Sequence, residues 1–445
     1  MSDVNATPKI TPITNEPAHS LRTIDITSLI VGTILGAGIF KVPSLVAGQL
    51  HSEPMILIAW LLGGLISLVG ALCYVELATS FPNVGGEYFF LQKAYGKKIA
   101  FLYGWARSVI IVTGSIALLG ITLGDYMSKI WPLGLYSSTV WAMLVVIGLS
   151  LLNCLGIKEG KTAQNILTIF EVGGVIAIIA TGFMADSAPS IVQVTQTTPE
   201  LGALSLAMVF VLLTYGGWNE AAYISAEAID QKRGILKGLV LGLGLVTILY
   251  VLVNLSYFHA FGAQGMGQSN ALASDLFELA YGHGSAVIFS AIVVFSCLNS
   301  INATIIFGSR SSFALGKDWK ILSWIAEWHD SGTPRKAILL QCVISLLLIF
   351  GAAFVRQGFE SIVEFTAPVF WFFIMLVGLS LFILRKRYPN THRPFSIPMY
   401  PILPLIFTMT SGWLLWSSLA YSGIGALVGV GFLGLGAIAL LFEKK

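Results

Sequence analysis

The chain has 445 residues, of which 56% are apolar and only 11% charged, with a formal charge of +3 and a mean hydropathy of +0.83. Soluble domains carry nearer a quarter charged residues, and apolar runs of about 20 residues are the length that crosses a bilayer. These numbers exclude a soluble globule and predict an all-α polytopic membrane protein.

The N-terminal stretch, residues 1–23, is polar, contains Pro8, Pro12 and Pro17 and has no apolar core. It reads as a cytoplasmic tail, not a signal peptide. Twelve spans are predicted after it, at roughly 24–48, 54–80, 98–124, 138–156, 161–184, 202–226, 235–259, 284–311, 337–355, 361–384, 398–420 and 423–442. With both termini inside, 21 of the 25 Lys and Arg fall in cytoplasmic segments, among them Lys93, Lys97, Lys98, Arg385, Lys386, Arg387 and Arg393. Lys129 and Arg356 fall in outer loops, and the outer loop at 260–283 carries Asp275 and Glu278 with no Lys or Arg. The asymmetry sets the orientation by the positive-inside rule and suits a multi-pass protein of the plasma membrane, as in a bacterial inner membrane.

The longest connections, 186–201, 260–283 and 312–336, leave no room for a soluble catalytic domain. Neither HExxH nor GxSxG occurs, and the six histidines lie in tails, loops or span ends. An enzyme is not expected, nor a metal, a cofactor or a nucleic-acid partner. Cys73, Cys154, Cys297 and Cys342 all lie inside predicted spans and none in an outer loop, so they read as packing residues and not as a disulfide framework.

Spans one and six are irregular in matching ways. The first reads Gly32-Thr33-Ile34-Leu35-Gly36-Ala37-Gly38-Ile39-Phe40, followed by Pro43; the sixth reads Leu213-Thr214-Tyr215-Gly216-Gly217-Trp218-Asn219-Glu220. Mid-membrane glycines weaken helix continuity. Spans one and six also open two five-span halves, which an odd count orients in opposite directions. Breaks at corresponding places in two halves point to a transporter's midplane site. The alternative is that these glycines let helices pack closely; Gly32 and Gly36, four apart, fit it, whereas Gly36-Ala37-Gly38 and Gly216-Gly217 fit it less well. A break exposes backbone amides and carbonyls that must line a cavity or bind something. Amides at the positive end of a half-helix suit a carboxylate and free carbonyls suit an ammonium. A ligand bearing both on one carbon, an α-amino acid, fits between two such breaks; polyamines would use the carbonyls alone.

From these residues onward the chain resembles the amino acid–polyamine–organocation superfamily, closest in motif style to L-type amino acid transporters. The similarity covers nearly the whole chain. It rests on Gly36-Ala37-Gly38-Ile39-Phe40, Tyr74-Val75-Glu76-Leu77, Pro82-Asn83-Val84-Gly85-Gly86-Glu87-Tyr88, Phe101-Leu102-Tyr103-Gly104-Trp105, Tyr215-Gly216-Gly217-Trp218-Asn219 and Leu298-Asn299-Ser300-Ile301-Asn302. The resemblance implies a LeuT-type fold with 12 transmembrane helices: one inverted repeat over 24–200, its mate over 201–390, and two further helices with a short C-terminus over 391–445. It implies that the amides of Gly36, Ala37 and Gly38 hold the substrate carboxylate. The carbonyls of Ile34, Leu213 and Gly216 would hold its amine, with Tyr215 and Trp218 shaping the pocket and Ser115 and Asn299 as weaker lining candidates. The chain departs from the family pattern at Ala37, where Ser is frequent, and at Leu213, where an aromatic gate is common. Residues 125–137 contain no cysteine, so a disulfide-linked heavy chain is not expected; a monomer or homodimer is.

Ionisable groups at membrane depth are functional candidates. Glu171 lies eleven residues into span five, where many relatives place a Lys. One reading makes it a proton carrier; the other pairs it with Arg107, at similar depth in span three. Lys41, nearer the outer face, is expected to snorkel or to pair with an outer acid. Glu76 reads as an inner-gate or loop-anchoring residue, and Glu220 as facing the inner vestibule.

The expected function is a secondary active transporter of neutral L-amino acids, by alternating access, as proton symporter or exchanger. A sodium-coupled symporter, a cationic amino acid or polyamine carrier, and a non-transporting membrane receptor for amino acids are the alternatives.

Overall fold

The computed structural model describes residues 23–36, 38–83, 85–155, 160–185, 201–220, 233–282, 284–327, 329, 333–354, 358–420 and 424–442. Among the described residues the regular elements are all helical. We number them α1 (Thr23–Ile34), α2 (Gly38–Leu50), α3 (Glu53–Ser80), α4 (Gly86–Tyr95), α5 (Lys97–Ile130), α6 (Ser137–Leu155), α7 (Gly160–Met184), α8 (Leu201–Thr214), α9 (Arg233–Gln268), α10 (Leu272–Tyr281), α11 (Ser285–Asp318), α12 (Arg335–Ala352), α13 (Gly358–Arg387), α14 (Ile402–Ala420) and α15 (Ile424–Ala439).

Eight of them, α3, α5, α6, α9, α11, α12, α13 and α14, are long and apolar enough to cross a membrane. The shorter apolar helices α8 and α15, and the described part of α7, fall where further spans are predicted. The place of the first predicted span is shared by α1 and α2.

Local chemistry sets several boundaries. Pro54 sits in the first turn of α3, where the missing N–H costs nothing. Gly96 closes α4 at φ +89°. Three stretches expected as loop are helical instead: α4 in the connection after α3, α10 in the connection 260–283, and the extension of α11 to Asp318. Helix α9 also continues past the predicted end at 259, through a kink at Gly262 (φ 64°). Hydropathy marks where a helix leaves the apolar layer, not where its hydrogen-bond ladder stops.

Small residues allow the helices to approach closely, as is usual between helices in lipid. A side chain at Gly63 or Gly64 of α3 would strike Val211 of α8 or Thr247 of α9, and one at Gly238 or Gly242 of α9 would strike Ile26 or Ile30 of α1. Thus α1 lies along α9, while α2 packs on α8 and α9. Helix α5 widens into a π turn at Arg107–Ile111. Just beyond it the carbonyl of Thr113 accepts a hydrogen bond from Ser345 Oγ of α12 at 3.2 Å.

Candidate functional site

The two irregular segments meet. Helix α1 stops at Ile34, where Leu35 N still donates to Val31 O at 2.8 Å, and α2 starts again at Gly38. Helix α8 stops at Thr214, and the chain turns through Tyr215, Gly216 and Gly217 into one 3-10 turn, Trp218–Glu220. Gly217 adopts φ +109°, a left-handed conformation that only glycine takes without strain. A Cβ there would lie 2.6 Å from the Thr33 carbonyl oxygen, and one on Gly38 would lie 2.9 Å from Thr214 Cγ2. Each break is therefore pressed onto the chain of the other. Gly36 faces α11: a Cβ there would lie 3.3 Å from Ser300 Oγ.

The polar groups of the breaks have identifiable partners. Tyr250 Oη of α9 donates to Ile34 O at 2.7 Å and lies 3.4 Å from Thr214 O, so one phenol spans both helix ends. Gly216 N donates to Leu213 O at 3.0 Å, and the Asn219 carboxamide accepts from Gly217 N at 3.3 Å. At the other side α2 begins with its first-turn amides, from Gly38 onward, lacking partners within the helix. Ala37 lies outside the described residues.

The other expected lining residues divide. Tyr215 is fully buried on the α3 and α9 side, donating to Trp60 O at 3.0 Å and packing on Tyr250 with ring centroids 5.0 Å apart. Trp218 packs edge-on against Tyr74 of α3 and Phe407 of α14, and lines a cleft with Ser67, Gly216, Asn219 and Trp371. Ser115 turns its hydroxyl back to Ile111 O of its own helix at 2.9 Å. Asn299 is buried on α11 beside Glu171.

The pairing of Glu171 with Arg107 is corrected by the structure. Glu171 Oε1 accepts from Ser296 Oγ of α11 at 2.6 Å. Among the described residues its Oε2 and both amide atoms of Asn299, which stands beside that carboxyl, have no partner in hydrogen-bonding geometry. Arg107 instead reaches both carboxylate oxygens of Glu220, at 2.9 and 3.1 Å, and stands 3.6 Å from Glu87. Equal depth in two helices does not bring side chains together when they leave on different faces. Glu87, buried at the start of α4, accepts from Tyr74 Oη at 2.7 Å, from Asn219 Nδ2 at 3.2 Å and from Tyr103 Oη. The second break is thereby fastened to α3, α4 and α5 through two carboxylates and one guanidinium.

Lys41 pairs with Asp125 at 3.0 Å and donates to Asn270 O at 3.1 Å, joining α2, α5 and the start of α10; the expected pairing with an acid holds. Glu76 takes a two-pronged bond from Arg385 at 2.7 and 2.6 Å and the Ile397 amide at 2.7 Å, which makes it an anchor for the connection after α13. Sequence reading missed Tyr250, Thr214, Ser300 and Glu87. Glu87, Ser300 and Thr214 lay inside stretches already singled out, Glu87 as an acid in the Gly85-Gly86-Glu87-Tyr88 turn motif; Tyr250 carried no signal. Among the described residues no cluster of His, Cys, Asp or Glu could hold a metal ion.

The profile of the family described as amino acid permease matches residues 21–433. The serine/threonine exchanger SteT of Bacillus subtilis is 27% identical over 415 residues, covering 91% of this chain and 92% of that protein. The b(0,+)-type amino acid transporter 1 of Homo sapiens is 29% identical over 414 residues, covering 91% and 83%. The large neutral amino acids transporter small subunit 2 of Homo sapiens is 28% identical over 419 residues, covering 90% and 76%.

Proposed function

The chain belongs to the amino acid permease family, and on that premise we propose that it carries neutral L-amino acids across the membrane by alternating access. The observation that carries this reading is the contact between the two breaks, with Gly217 on Thr33 and Gly38 on Thr214. Around that contact, carbonyls at the end of α1 and first-turn amides at the start of α2 offer opposite polarities to one ligand. The substrate carboxylate goes to the amides of Gly36, Ala37 and Gly38. Its ammonium goes to the carbonyls of Ile34, Leu213 and Gly216, in competition with the Tyr250 hydroxyl at Ile34 and the Gly216 amide at Leu213. A backbone site of this kind selects the α-amino acid core and leaves the side chain to other residues.

The arrangement of that carrier is the LeuT-type one, with inverted repeats over 24–200 and 201–390, two further helices over 391–445, and both termini cytoplasmic. Each broken segment opens a five-span half, and the odd count that orients the two halves oppositely supports it, as does the distribution of Lys and Arg. Exchange of one amino acid for another is the favoured mode, in line with the relative named as an exchanger. A second reading, proton symport, draws on Glu171: its carboxyl is buried, faces Ser296 and Asn299, and is not engaged by Arg107.

Uptake into proteoliposomes tests both. A panel of labelled amino acids is supplied with and without internal substrate, and with imposed proton or sodium gradients. Uptake that requires internal substrate and ignores both gradients identifies an exchanger; uptake driven by a proton gradient into empty vesicles identifies a symporter. Accumulation of polyamines with no amino acid taken up would overturn the substrate class.

A further inference from the structure

Where α3, α4, α5 and α13 end together, the surface carries a one-sided charge. Helix α13 closes on Arg385, Lys386 and Arg387, and Arg387 donates to the carbonyls of Lys93 and Ala94 at 2.7 and 3.2 Å. That bond places the end of α13 at the α4–α5 turn, next to the exposed Lys97 and Lys98. Lys93 is held over the rings of Phe81, Phe89 and Tyr388, 4.9–5.4 Å from their centroids. The acids nearby are already engaged. Glu76 is taken by Arg385 and Arg393, Glu87 by its tyrosines and Arg107, and Asp318 accepts from Tyr88 Oη at 2.9 Å. Among the described residues no carboxylate lies in salt-bridge reach of Lys93, Lys97, Lys98, Lys386 or Arg387.

The patch adjoins an apolar face. The Tyr400 ring lies 3.7 Å from the Arg385 guanidinium, and two residues on α14 begins. Its Ile402, Leu405, Ile406 and Met409 are 45–65% exposed. Cations without acids would suit any phosphate; cations at the ends of spanning helices beside an open apolar helix face suit a molecule with a charged head and an aliphatic tail.

We propose that this corner is a binding site for an anionic phospholipid, its phosphate held by Lys97, Lys98, Lys386 and Arg387 and an acyl chain lying on α14. None of these four residues is among those assigned to the substrate, and occupancy of the site is read without transport.

The full-length protein is reconstituted in phosphatidylcholine vesicles with a trace of spin-labelled phosphatidylglycerol or spin-labelled phosphatidylcholine, and the protein-restricted fraction is measured by electron paramagnetic resonance. The expected result is that the phosphatidylglycerol label associates about tenfold more strongly, with the preference falling as salt screens the charges. The variant K97Q/K98Q/K386Q/R387Q brings the two labels to equality, while K129Q, on a different connection, keeps the preference. Should the quadruple variant fail to fold, Lys98→Gln and Lys386→Gln, each at an exposed position, give intermediate values. Equal association of the two labels with the unaltered protein overturns the proposal, as does a preference that survives the four substitutions. Displacement of the lipid label by inorganic phosphate at matched concentration assigns the patch to a free anion and also overturns it.

Discussion

The hydroxyl of Tyr250 donates to the carbonyl of Ile34 at 2.7 Å and lies 3.4 Å from that of Thr214, so one side chain from α9 bridges the last residues of α1 and α8. Removing it leaves a buried carbonyl unpaired, which costs about 1–3 kcal/mol. Tyr250→Phe is therefore expected to lower the melting temperature in detergent, and a saturating amino acid substrate, whose ammonium can take the carbonyl, should raise it by more than in the unaltered protein. An equal ligand-induced shift in both would make Tyr250 a packing residue.

At the contact between the breaks the prediction is steric. Gly217→Ala meets both a left-handed backbone and the Thr33 carbonyl, and strain of that kind costs about 1–3 kcal/mol before the clash is counted. Uptake should fall to background. Gly38→Ala meets mainly the Thr214 methyl, so G38A/T214S should recover part of the uptake that G38A loses. A double variant no better than the single one would place the obstruction elsewhere.

Arg107 offers a test by thermal unfolding. Arg107→Met removes the cation that Glu220 holds at 2.9 Å and that stands near Glu87; because the Glu220 side chain is part-exposed, the loss is expected below the roughly 3–5 kcal/mol of a fully buried pair. R107M/E220Q should regain part of that loss, the remainder belonging to Glu87. R107M/E171Q should regain none. Rescue by the Glu171 change in place of the Glu220 change would restore the pairing that the structure replaces.

For coupling, Glu171→Gln keeps the shape of the side chain and its bond to Ser296 while removing the ionisable group. Accumulation driven by a proton gradient should be lost and exchange retained. Gradient-driven accumulation in the variant would leave Glu171 a structural residue.

The parts of the site that were legible were those written in backbone. Gly36, Gly38, Gly216 and Gly217 stand out because a glycine cluster within an apolar run has few uses, and the breaks fall on them. The helical class was legible for a related reason, since hydropathy senses the apolar layer directly. Side-chain partnerships were not. Tyr250 on a long apolar helix is indistinguishable from any core tyrosine until the fold carries it to Ile34. Depth along a span said nothing of the direction in which Arg107 leaves the helix, and Glu220, 113 positions away, was weighed for the vestibule or a cationic substrate and not as a partner of Arg107. Helices α4 and α10 escaped because neither spans the apolar layer and hydropathy marks only that layer.

The π turn in α5 bears on how the length of this chain can vary. Each residue of an α-helix advances the next by about 100°, so adding or dropping one residue in an ordinary turn would re-aim everything beyond it. Gly124, which leaves room for the Ser138 backbone, would no longer face α6, and Asp125 would leave Lys41. A π turn is a place where the helix already carries one surplus residue. Within Arg107–Ile111 a single deletion can be absorbed by tightening that turn, with both flanks keeping their facing. The segment beside Arg107 is thus the one point in this helix where evolution, or a designer, can change the count without turning the rest.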